Sequence, residues 1–441
     1  MLVAVSLTGS ILAGRFALER VMGAGGMGEV YRAVDQERQE VVAVKVMTAR
    51  LGADDHQRFE REARVLSELS HPNIVRYVTH GIDRESGPFL AMEWLEGEDL
   101  GARLARAPLT VDESLTIARH VAGALHCAHG RGIVHRDIKP SNLFLIGDDP
   151  RSVKVVDFGV ARARGGVSLT GTGAIIGTVG YMAPEQAGSG RDVDATSDLF
   201  SLGCVLYECL TGAPAFVGDH VVAILVKLLH EDPPRLRALR PELPAALEEL
   251  IAGMLDKSPA RRPKDAMFVA AAIEALGSIS AVAPDATLAQ PAPSRESSGE
   301  QRMVQLLLVD PVAGPHPELA PTLLPGADAT LDAVGHAVRR FGAEVTALRN
   351  GMLLVTLPPR GSARDRAEAM GLVALKVREA LPDARVALAS GRSDTARGSP
   401  LGPAVDRCAA LLGAATPGEV TVDDTSARLL EERFVMPFAS P

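Results

Sequence analysis

Short apolar runs alternate with polar residues from residue 15 to residue 93. Such period-two runs, bounded by turn residues, predict antiparallel strands. One segment breaks the pattern, "DDHQRFEREARVLSELS", whose apolar residues recur at helical spacing and share one face: Phe59, Ala63, Leu66 and Leu69. From about residue 110 helical periodicity dominates. The pattern therefore predicts a small sheet lobe over 15–93 and a larger helical lobe over 94–276.

Ala, Pro and Ser then dominate a stretch without periodicity, "SISAVAPDATLAQPAPSRESSGE". This composition predicts a flexible linker, placed at 277–302. Beyond it, strand-like and helix-like segments predict a second α+β domain over 303–436, of ordinary domain size. Residues 1–14 form an N-terminal extension.

Chain length, net charge, apolar runs and cysteine spacing argue against several classes of protein. A chain of 441 residues exceeds one ordinary core, and a net charge of -9 argues against a general nucleic-acid binder. We find no uncharged apolar run of about 18 residues and no basic n-region at the start, so we expect a cytoplasmic protein without a membrane span or signal peptide. Four cysteines without CxxC spacing indicate reduced core cysteines, not disulfides or a zinc site.

The segment "GAGGMGEV" contains G-x-G-x-x-G at Gly23, Gly25 and Gly28. Glycines let backbone N–H groups approach phosphate closely. Alone, this pattern fits a glycine-rich hairpin turn equally well. A dinucleotide site would have a helix directly after the glycines, and the strand-like "EVYRAV" that follows argues against one.

Lys45 lies within the apolar run "VVAVKVM". A lysine in such a strand can simply point to water. A functional interpretation needs a nearby acid, and Glu62 on the following helix is the candidate. That ion pair would direct the ammonium group at two phosphates of a nucleotide.

The segment "IVHRDIKPSNLFL" places polar side chains between two apolar flanks. Asp137 could accept a proton from a hydroxyl or hold it in line, and Lys139 could neutralise a transferring phosphoryl group. Asn142 offers a neutral oxygen ligand for magnesium, and Asp157 in "VKVVDFGVAR" a carboxylate. Phosphoryl transfer depends mainly on such positioning and charge neutralisation.

Five motifs, "GAGGMGEV", "VAVK", "HRDIKPSN", "DFG" and "APE", occur in the order and context of protein kinases, and the region 15–276 resembles that family. Five motifs in order are far more specific than any one of them. The segments "GAGGMGEVYRA" and "RFEREARVLSELSHPNIV" resemble most the bacterial eukaryotic-like (Hanks-type) Ser/Thr kinases. The resemblance implies an α+β, bilobal protein kinase fold, with protein substrates and a role in signal transduction.

By this resemblance Asp137 is the catalytic acid/base, Lys45 and Glu62 form the activating ion pair, and Asn142 and Asp157 hold Mg²⁺, with Mn²⁺ an alternative. Met92 borders the adenine pocket and Glu93 to Leu95 form the hinge. Met27 stands where relatives often have an aromatic residue. The implied ATP site comprises Gly23, Ala24, Gly25, Gly26, Met27, Gly28, Val30, Ala43, Lys45, Met92, Glu93 and Leu95. The resemblance also implies a Glu185–Arg262 bridge and an Asp198 that holds the catalytic loop.

Lys139, two residues after Asp137, and "GTVGYMAPE" are typical of Ser/Thr kinases. Thr178 would then contact Asp137 and Lys139, although it could instead be a phosphorylation site. The segment "GGVSLTGTGAII" predicts a mobile loop. Its hydroxyls could merely meet water, but Arg136 lies within reach of a phosphate there, which favours autophosphorylation. The candidate sites are Ser168, Thr170 and Thr172.

Residues 303–436 resemble, more faintly, a class III nucleotide cyclase domain. Asp310 stands at a metal position, but Asn350, Asp406 and Ala410 replace a metal Asp, an Asn and a transition-state Arg. The resemblance implies a degenerate domain, smaller than the kinase region, for binding or dimer contact. An unrelated α+β domain remains the alternative, and Asp310 alone reads as a strand-end turn residue.

Three functions compete. An active Ser/Thr kinase is favoured, with possible self-association and an unknown partner or ligand for its C-terminal domain. A pseudokinase scaffold that binds nucleotide without transfer is disfavoured by the intact Lys45, Asp137, Asn142 and Asp157. A nucleotide cyclase is disfavoured by the three replaced positions.

Overall fold

The structure is a computed structural model. It describes residues 7–25, 28–47, 53–158, 179–187, 193–277, 302–311, 327–348, 351–358, 361–393 and 403–434.

An antiparallel six-stranded sheet forms the first part of the chain, in the order β1-β2-β3-β4-β6-β5. Its strands are β1 (Ile11–Leu12), β2 (Phe16–Gly25), β3 (Gly28–Asp35), β4 (Glu40–Val46), β5 (Tyr77–Asp83) and β6 (Gly87–Glu93). The alternation in "GEVYRAVD" and "EVVAVKVM" thus predicted two neighbouring strands, as found. Tyr31, Val42 and Val44 are buried on its core face.

The segment before β5 departs from the prediction. We expected "NIVRYVTHGID" to be one strand, but β5 starts only at Tyr77. Ile74 instead forms an isolated parallel bridge with Val155, and the Asn73 side chain donates to the carbonyl of Val153 at 2.8 Å. The approach to β5 is therefore attached to the helical lobe and is not available to extend the sheet.

Helix α1 (Ala53–Ser67) packs Phe59 and Ala63 against Met47 and Leu90 of the sheet lobe. The expectation that Leu69 shares this face is wrong. Leu69 lies beyond the end of the helix and is buried in the core of the helical lobe.

The helical lobe has one large core around two long helices, α3 and α5. Its helices are α2 (Leu100–Arg106), α3 (Val111–His129), α4 (Pro184–Ala187), α5 (Ala195–Thr211), α6 (Val221–His230), α7 (Leu236–Leu239), α8 (Ala245–Met254) and α9 (Ala266–Ala275). A small sheet in the order β7 (Gly97–Asp99), β8 (Leu143–Ile146) and β9 (Val153–Val155) lies on it. This small sheet carries the ends of two segments that bear the predicted chemistry.

A second unit follows, with a five-stranded sheet in the order β11-β12-β10-β13-β14. Its elements are β10 (Arg302–Asp310), α10 (Ala327–Val338), β11 (Glu344–Ala347), β12 (Leu353–Thr356), α11 (Ala363–Ala380), β13 (Arg385–Ser393), α12 (Ala404–Ala414), β14 (Val420–Val422) and α13 (Asp424–Leu430). The strands and α11 were predicted. Helices α10, α12 and α13 were not assigned from the pattern.

Alternate residues of this second sheet serve two separate cores. Leu307 and Val309 face α10 and α11, whereas Leu306 and Leu308 face α12. The alternation follows from the period of two along a strand. The face that meets α12 also meets residues of α6 from the helical lobe.

All four cysteines are free, as expected. Cys204, Cys209 and Cys408 are buried, and Cys127 is half-buried and packs against the core of the helical lobe. None of the helices within the described parts of the chain is long and apolar enough to cross a membrane.

Candidate active site

A buried carboxylate organises the loop that precedes β8. Asp198, near the start of α5, accepts hydrogen bonds from the backbone N–H of His135 at 2.8 Å and of Arg136 at 2.7 Å. His129 Nε2 lies 2.8 Å from Asp198 Oδ2, the oxygen that also accepts from His135. Arg136 has a φ of 66°, in the left-handed region, which a non-glycine residue adopts only when its surroundings hold it there. The predicted role of Asp198 in holding this loop is confirmed.

Asp137, the next residue, faces two of the predicted partners. Asn142 Nδ2 donates to the Asp137 carbonyl at 2.7 Å and to its Oδ2 at 3.1 Å. Lys139 Nζ lies 3.2 Å from the same Oδ2. The short helix Pro140–Asn142 turns the chain back, so residues 137, 139 and 142 meet.

His135 is a positioning residue that sequence reasoning missed, although it lies within the quoted "HRDIKPSN". Its Nδ1 accepts from the Asp137 N–H at 3.3 Å, and its Nε2 lies 3.0 Å from the Val156 carbonyl. Burial lowers the pKa of His135. Because Nδ1 accepts from the Asp137 N–H, Nε2 is the nitrogen that can donate to the Val156 carbonyl. Its ring contacts Phe158, with centroids 4.7 Å apart. His135 thereby connects Asp137 to the segment that carries Asp157.

Lys45 crosses from the sheet lobe to the helical lobe. Its Nζ lies 2.9 Å from Asp157 Oδ1, and its side chain is 12% exposed. The interpretation that Lys45 points to water is therefore wrong. Glu62 lies on α1 and is half-buried, and its pairing with Lys45 stays a prediction. Asp157 has a φ of 61°, a second strained position beside the site.

Asn142 and Asp157 offer oxygen ligands side by side. The Asn142 carbonyl accepts from the Val156 N–H at 3.0 Å, which holds the two segments together. Because Asn142 Nδ2 is committed to Asp137, its Oδ1 is directed away and can serve as a ligand. Hard oxygen donors suit Mg²⁺, which keeps waters and phosphate oxygens in its shell. Within the described ranges, no group of three or more His, Cys, Asp or Glu side chains is placed to hold a metal ion.

The glycine segment lies at the tips of β2 and β3. Gly23 pairs with Val30, and Val30 pairs in turn with Lys45 of β4. Gly28 has a φ of 143°, and a Cβ there would lie 2.1 Å from the Val46 carbonyl oxygen. Glycine is therefore required at 28 for the close approach of two backbones. Ala24 and Gly25 continue β2, whereas Gly26 and Met27 lie outside the described residues.

The predicted adenine-binding residues lie on the neighbouring strands. Met92 of β6 is the register partner of Ala43 of β4. Glu93 accepts from the Arg76 N–H at 2.6 Å and pairs with Lys154 of β9. Leu95 follows and is half-buried. The hinge segment is thus attached to both lobes.

The predicted regulatory hydroxyls, Ser168, Thr170, Thr172 and Thr178, lie outside the described residues. The structure places Arg136 beside α4, because Gln186 Nε2 donates to its carbonyl at 3.0 Å. Gln186, directly after the "APE" motif, was not predicted to have a role. It links that motif to the catalytic loop.

Glu185 and Arg262 form the predicted bridge, with two hydrogen bonds of 2.7 and 2.8 Å. Both side chains are almost fully buried. Burial raises the pKa of Glu185, but hydrogen bonds from Arg262 and Ser197 outweigh it and hold the pKa below its usual value. The pair is charged and structural.

The C-terminal candidates have other partners. Asp310 is the last residue of β10, as the strand-end interpretation expected, and its buried side chain pairs with Arg385 of β13. Asp406 on α12 pairs with Lys227 of α6. Ala410 lines a cavity of about 670 Å³ with Arg407 and Asp423. Asn350 lies outside the described residues.

Comparisons with known proteins agree with this geometry. A probable serine/threonine-protein kinase of Streptomyces coelicolor is 42% identical over 60% of this chain and 40% of its own length. The serine/threonine-protein kinase pkn3 of Myxococcus xanthus is 38% identical over 61% of this chain and 51% of its own length. PknB of Mycobacterium tuberculosis is 41% identical over 58% of this chain and 42% of its own length. The chain thus spans about half or less of these relatives.

Among solved structures, Rad53 residues 1–466 in complex with AMP-PNP aligns with a TM-score of 0.48 and 26% identity, over 58% of this chain and 64% of that chain. The family described as "Protein kinase domain" matches residues 16–273, more than half of the sequence. The chain therefore belongs to the protein kinase domain family.

Proposed function

We propose that this protein is an ATP-dependent serine/threonine protein kinase that transfers the γ-phosphoryl group to Ser and Thr hydroxyls of proteins. One observation carries the proposal. Lys45 of the sheet lobe meets Asp157 of the helical lobe at 2.9 Å, beside the Asp137–Asn142 hydrogen bond. A cation, a carboxylate and an amide oxygen at one lobe boundary suit a nucleotide triphosphate and a divalent cation.

Each side chain has a distinct role. Asp137 orients the substrate hydroxyl and accepts its proton, and Lys139 neutralises charge on the transferring group. Lys45 binds phosphate oxygens, with Glu62 as its second carboxylate partner. Asn142 and Asp157 would hold Mg²⁺ or Mn²⁺, which neutralises charge that develops on the phosphate oxygens. Electrostatic stabilisation of this kind supplies most of the rate enhancement in phosphoryl transfer.

ATP would occupy the space between the glycine segment and the hinge. Gly23 to Gly28 and Val30 cover the phosphates, whereas Ala43, Met92 and the backbone of Glu93 to Leu95 border the adenine. The register of Ala43 with Met92 supports this arrangement, because β6 ends at Glu93 and β4 lies beside that end.

Lys139 would act beside the substrate hydroxyl and so favour Ser/Thr specificity, and its 3.2 Å contact with Asp137 supports this role. Thr178 would contact the same pair. We further propose autophosphorylation on Ser168, Thr170 or Thr172, with Arg136 as the cation that would pair with the phosphate. Its backbone is fixed by Asp198 and Gln186, so the guanidinium starts from a defined place.

We also propose that residues 303–436 form a degenerate cyclase-homology domain. The engagement of Asp310 with Arg385 supports loss of a metal site, because the carboxylate already has a cation. Asp406, which stands where the cyclase resemblance has Asn, pairs with Lys227 of the helical lobe.

Replacement of Asp137 by Asn tests the kinase proposal. Asp137→Asn keeps the size of the side chain but removes the proton acceptor, so self-labelling with radioactive ATP and Mg²⁺ should fall about 10²- to 10⁴-fold. ATP binding, measured by calorimetry, should persist because Lys45 and Asp157 remain. Asp149→Asn, an exposed acid bonded to Arg151, is the control and should label normally. Equal labelling by Asp137→Asn would contradict the proposal.

A further inference from the structure

Helix α6 (Val221–His230) is apolar on all sides. Its sequence, "VVAILVKLLH", contains one lysine and one histidine. Ile224, Leu225 and Leu228 pack into the core of the helical lobe. Ala223 and Val226, on another face, have no exposed surface and belong to a different core. A helix that is apolar all round is buried on more than one side.

The second core belongs to residues of the C-terminal unit. One face of its sheet, together with the inner face of α12, surrounds Ala223 and Val226. The sheet contributes Leu306, Leu308 and Ala387 to this core, and α12 contributes Val405 and Cys408. Helix α6 therefore closes a sheet face that α12 covers in part. Burial of this apolar surface stabilises the docked arrangement.

A charged contact fixes the alignment. Lys227 Nζ lies 2.7 Å from Asp406 Oδ2 and 2.9 Å from the Val217 carbonyl. Asp406 Oδ1 is enclosed and has no hydrogen-bond partner within the described residues. The Asp406 side chain is 30% exposed and the Lys227 side chain 17%, so the pair is partly shielded from water and its loss should cost more than the loss of a fully exposed pair. The contact therefore makes docking specific for a helix that carries a cation at this position.

The fit is also tight in the backbone. A Cβ on Gly218, just before α6, would lie 3.2 Å from Asp406 Oδ1 and 3.2 Å from the Ala223 Cβ. A β-branched side chain there would push Asp406 away from the helix. Glycine at position 218 therefore allows the segment before α6 to lie close to Asp406.

We propose that the C-terminal unit is an in-chain partner of the kinase region, that α6 is its binding site, and that Asp406 is the residue that selects it. The unit recognises a cationic, apolar helix of the same chain. This assigns a role to an altered position, since Asp406 stands where the cyclase resemblance has Asn. The proposal concerns docking and holds whether or not the protein transfers phosphate.

Cross-linking of the full chain tests whether the contact exists in solution and within one molecule. A carbodiimide joins an ammonium and a carboxylate in direct contact, so a Lys227–Asp406 peptide should be recovered. Equal amounts of ¹⁵N-labelled and unlabelled chain are mixed first. Docking within one chain gives only fully labelled and fully unlabelled cross-links. Mixed cross-links would show a second copy as the partner and overturn the proposal, as would the absence of the cross-link.

Charge reversal tests specificity, again in the full chain and without ATP. Lys227→Glu and Asp406→Lys should each speed hydrogen exchange of the α6 amides at least fivefold, because each leaves like charges in contact. The double variant should restore protection. Gly218→Val should speed exchange without any change of charge. Lys376→Glu on α11, whose partner Glu379 is exposed, is the control and should have no effect on α6.

Far-UV circular dichroism separates undocking from unfolding in these variants. Helical content should persist in the single variants while α6 protection falls. Unchanged α6 exchange in both single variants, or a double variant that fails to regain protection although it is folded, would refute the assignment of Asp406.

Discussion

Arg262 and Glu185 form a buried ion pair that stabilises the fold only when both side chains are present. The pair lies away from water, and Arg262 also donates to the carbonyls of Asp256 at 2.8 Å and Thr196 at 3.1 Å. The Arg262 guanidinium therefore connects three separate parts of the helical lobe, at Glu185, Thr196 and Asp256. Loss of one partner leaves a buried charge, which costs far more than the loss of a surface pair.

Arg262→Met should lower the free energy of unfolding by about 3–5 kcal/mol. The matched control is Arg261→Met, because Arg261 is an exposed neighbour that contacts Asp256. It should cost about 0.5 kcal/mol or less, as exposed pairs do. Urea unfolding followed by circular dichroism measures both. Equal losses in the two variants would contradict the importance of burial.

The residues with predicted chemistry were identified because motifs specify side-chain types at fixed offsets. Residues 137, 139 and 142 meet because only a short turn separates them. Lys45 and Asp157 meet across 111 intervening residues, which no local pattern determines, and the resemblance alone joined them. His135 was missed since a buried neutral histidine leaves no mark in the sequence beyond its place in the motif.

At the scale of elements, helix α3 begins at a hydrogen-bonded N-terminal cap and is stabilised along its length by packing in the core of the helical lobe. Thr110 Oγ1 accepts from the Glu113 N–H at 3.2 Å, and Glu113 Oε2 accepts from the Thr110 N–H at 2.7 Å. This reciprocal arrangement is a capping box. It satisfies backbone donors that the first turn leaves open.

Thr110→Ala should lower the unfolding free energy by about 1 kcal/mol, within the 0.5–2 kcal/mol range of N-cap losses. Thr110→Ser keeps the hydroxyl and should stay close to the parent protein. Thermal unfolding gives the comparison. A Ser variant as unstable as the Ala variant would show that the methyl group, not the cap, matters.

Strand and helix periods predicted most elements but not their partners. Phe59 and Leu69 have helical spacing, yet they enter different cores. The apolar run of α6 indicated burial on several sides, but the pattern could not say that a distant unit covers it. Helix α12 was overlooked because its segment is rich in Ala and Gly, which weakens the periodic signal.

At the scale of the whole molecule, histidines give the chain a shared response to acid. Burial lowers the pKa of each of five: His71, His80, His120, His135 and His230. In the unfolded chain these groups titrate near 6.5. Below that pH the unfolded state binds more protons, so stability is fully present above it and is lost as pH falls. Glu208, whose pKa burial raises, acts in the opposite direction.

The melting temperature should therefore fall by several degrees between pH 7.5 and pH 5.5. His71→Asn should weaken this dependence. Its side-chain oxygen can still accept the Asn73 N–H that His71 Nδ1 accepts at 3.1 Å, but it does not titrate. His336→Gln, at an exposed position of α10, is the control. Calorimetric scans across pH would contradict the expectation if His71→Asn followed the parent curve.

The attachment of residues 69–76 to the helical lobe bears on how the cleft opens. Leu69 and Ile74 are anchored in that lobe, and the Val75 N–H donates to the Val155 carbonyl at 3.0 Å. A rotation of the sheet lobe that kept this anchor in place would move the start of α1 at Ala53 farther than its end at Ser67, which lies two residues before the anchored segment.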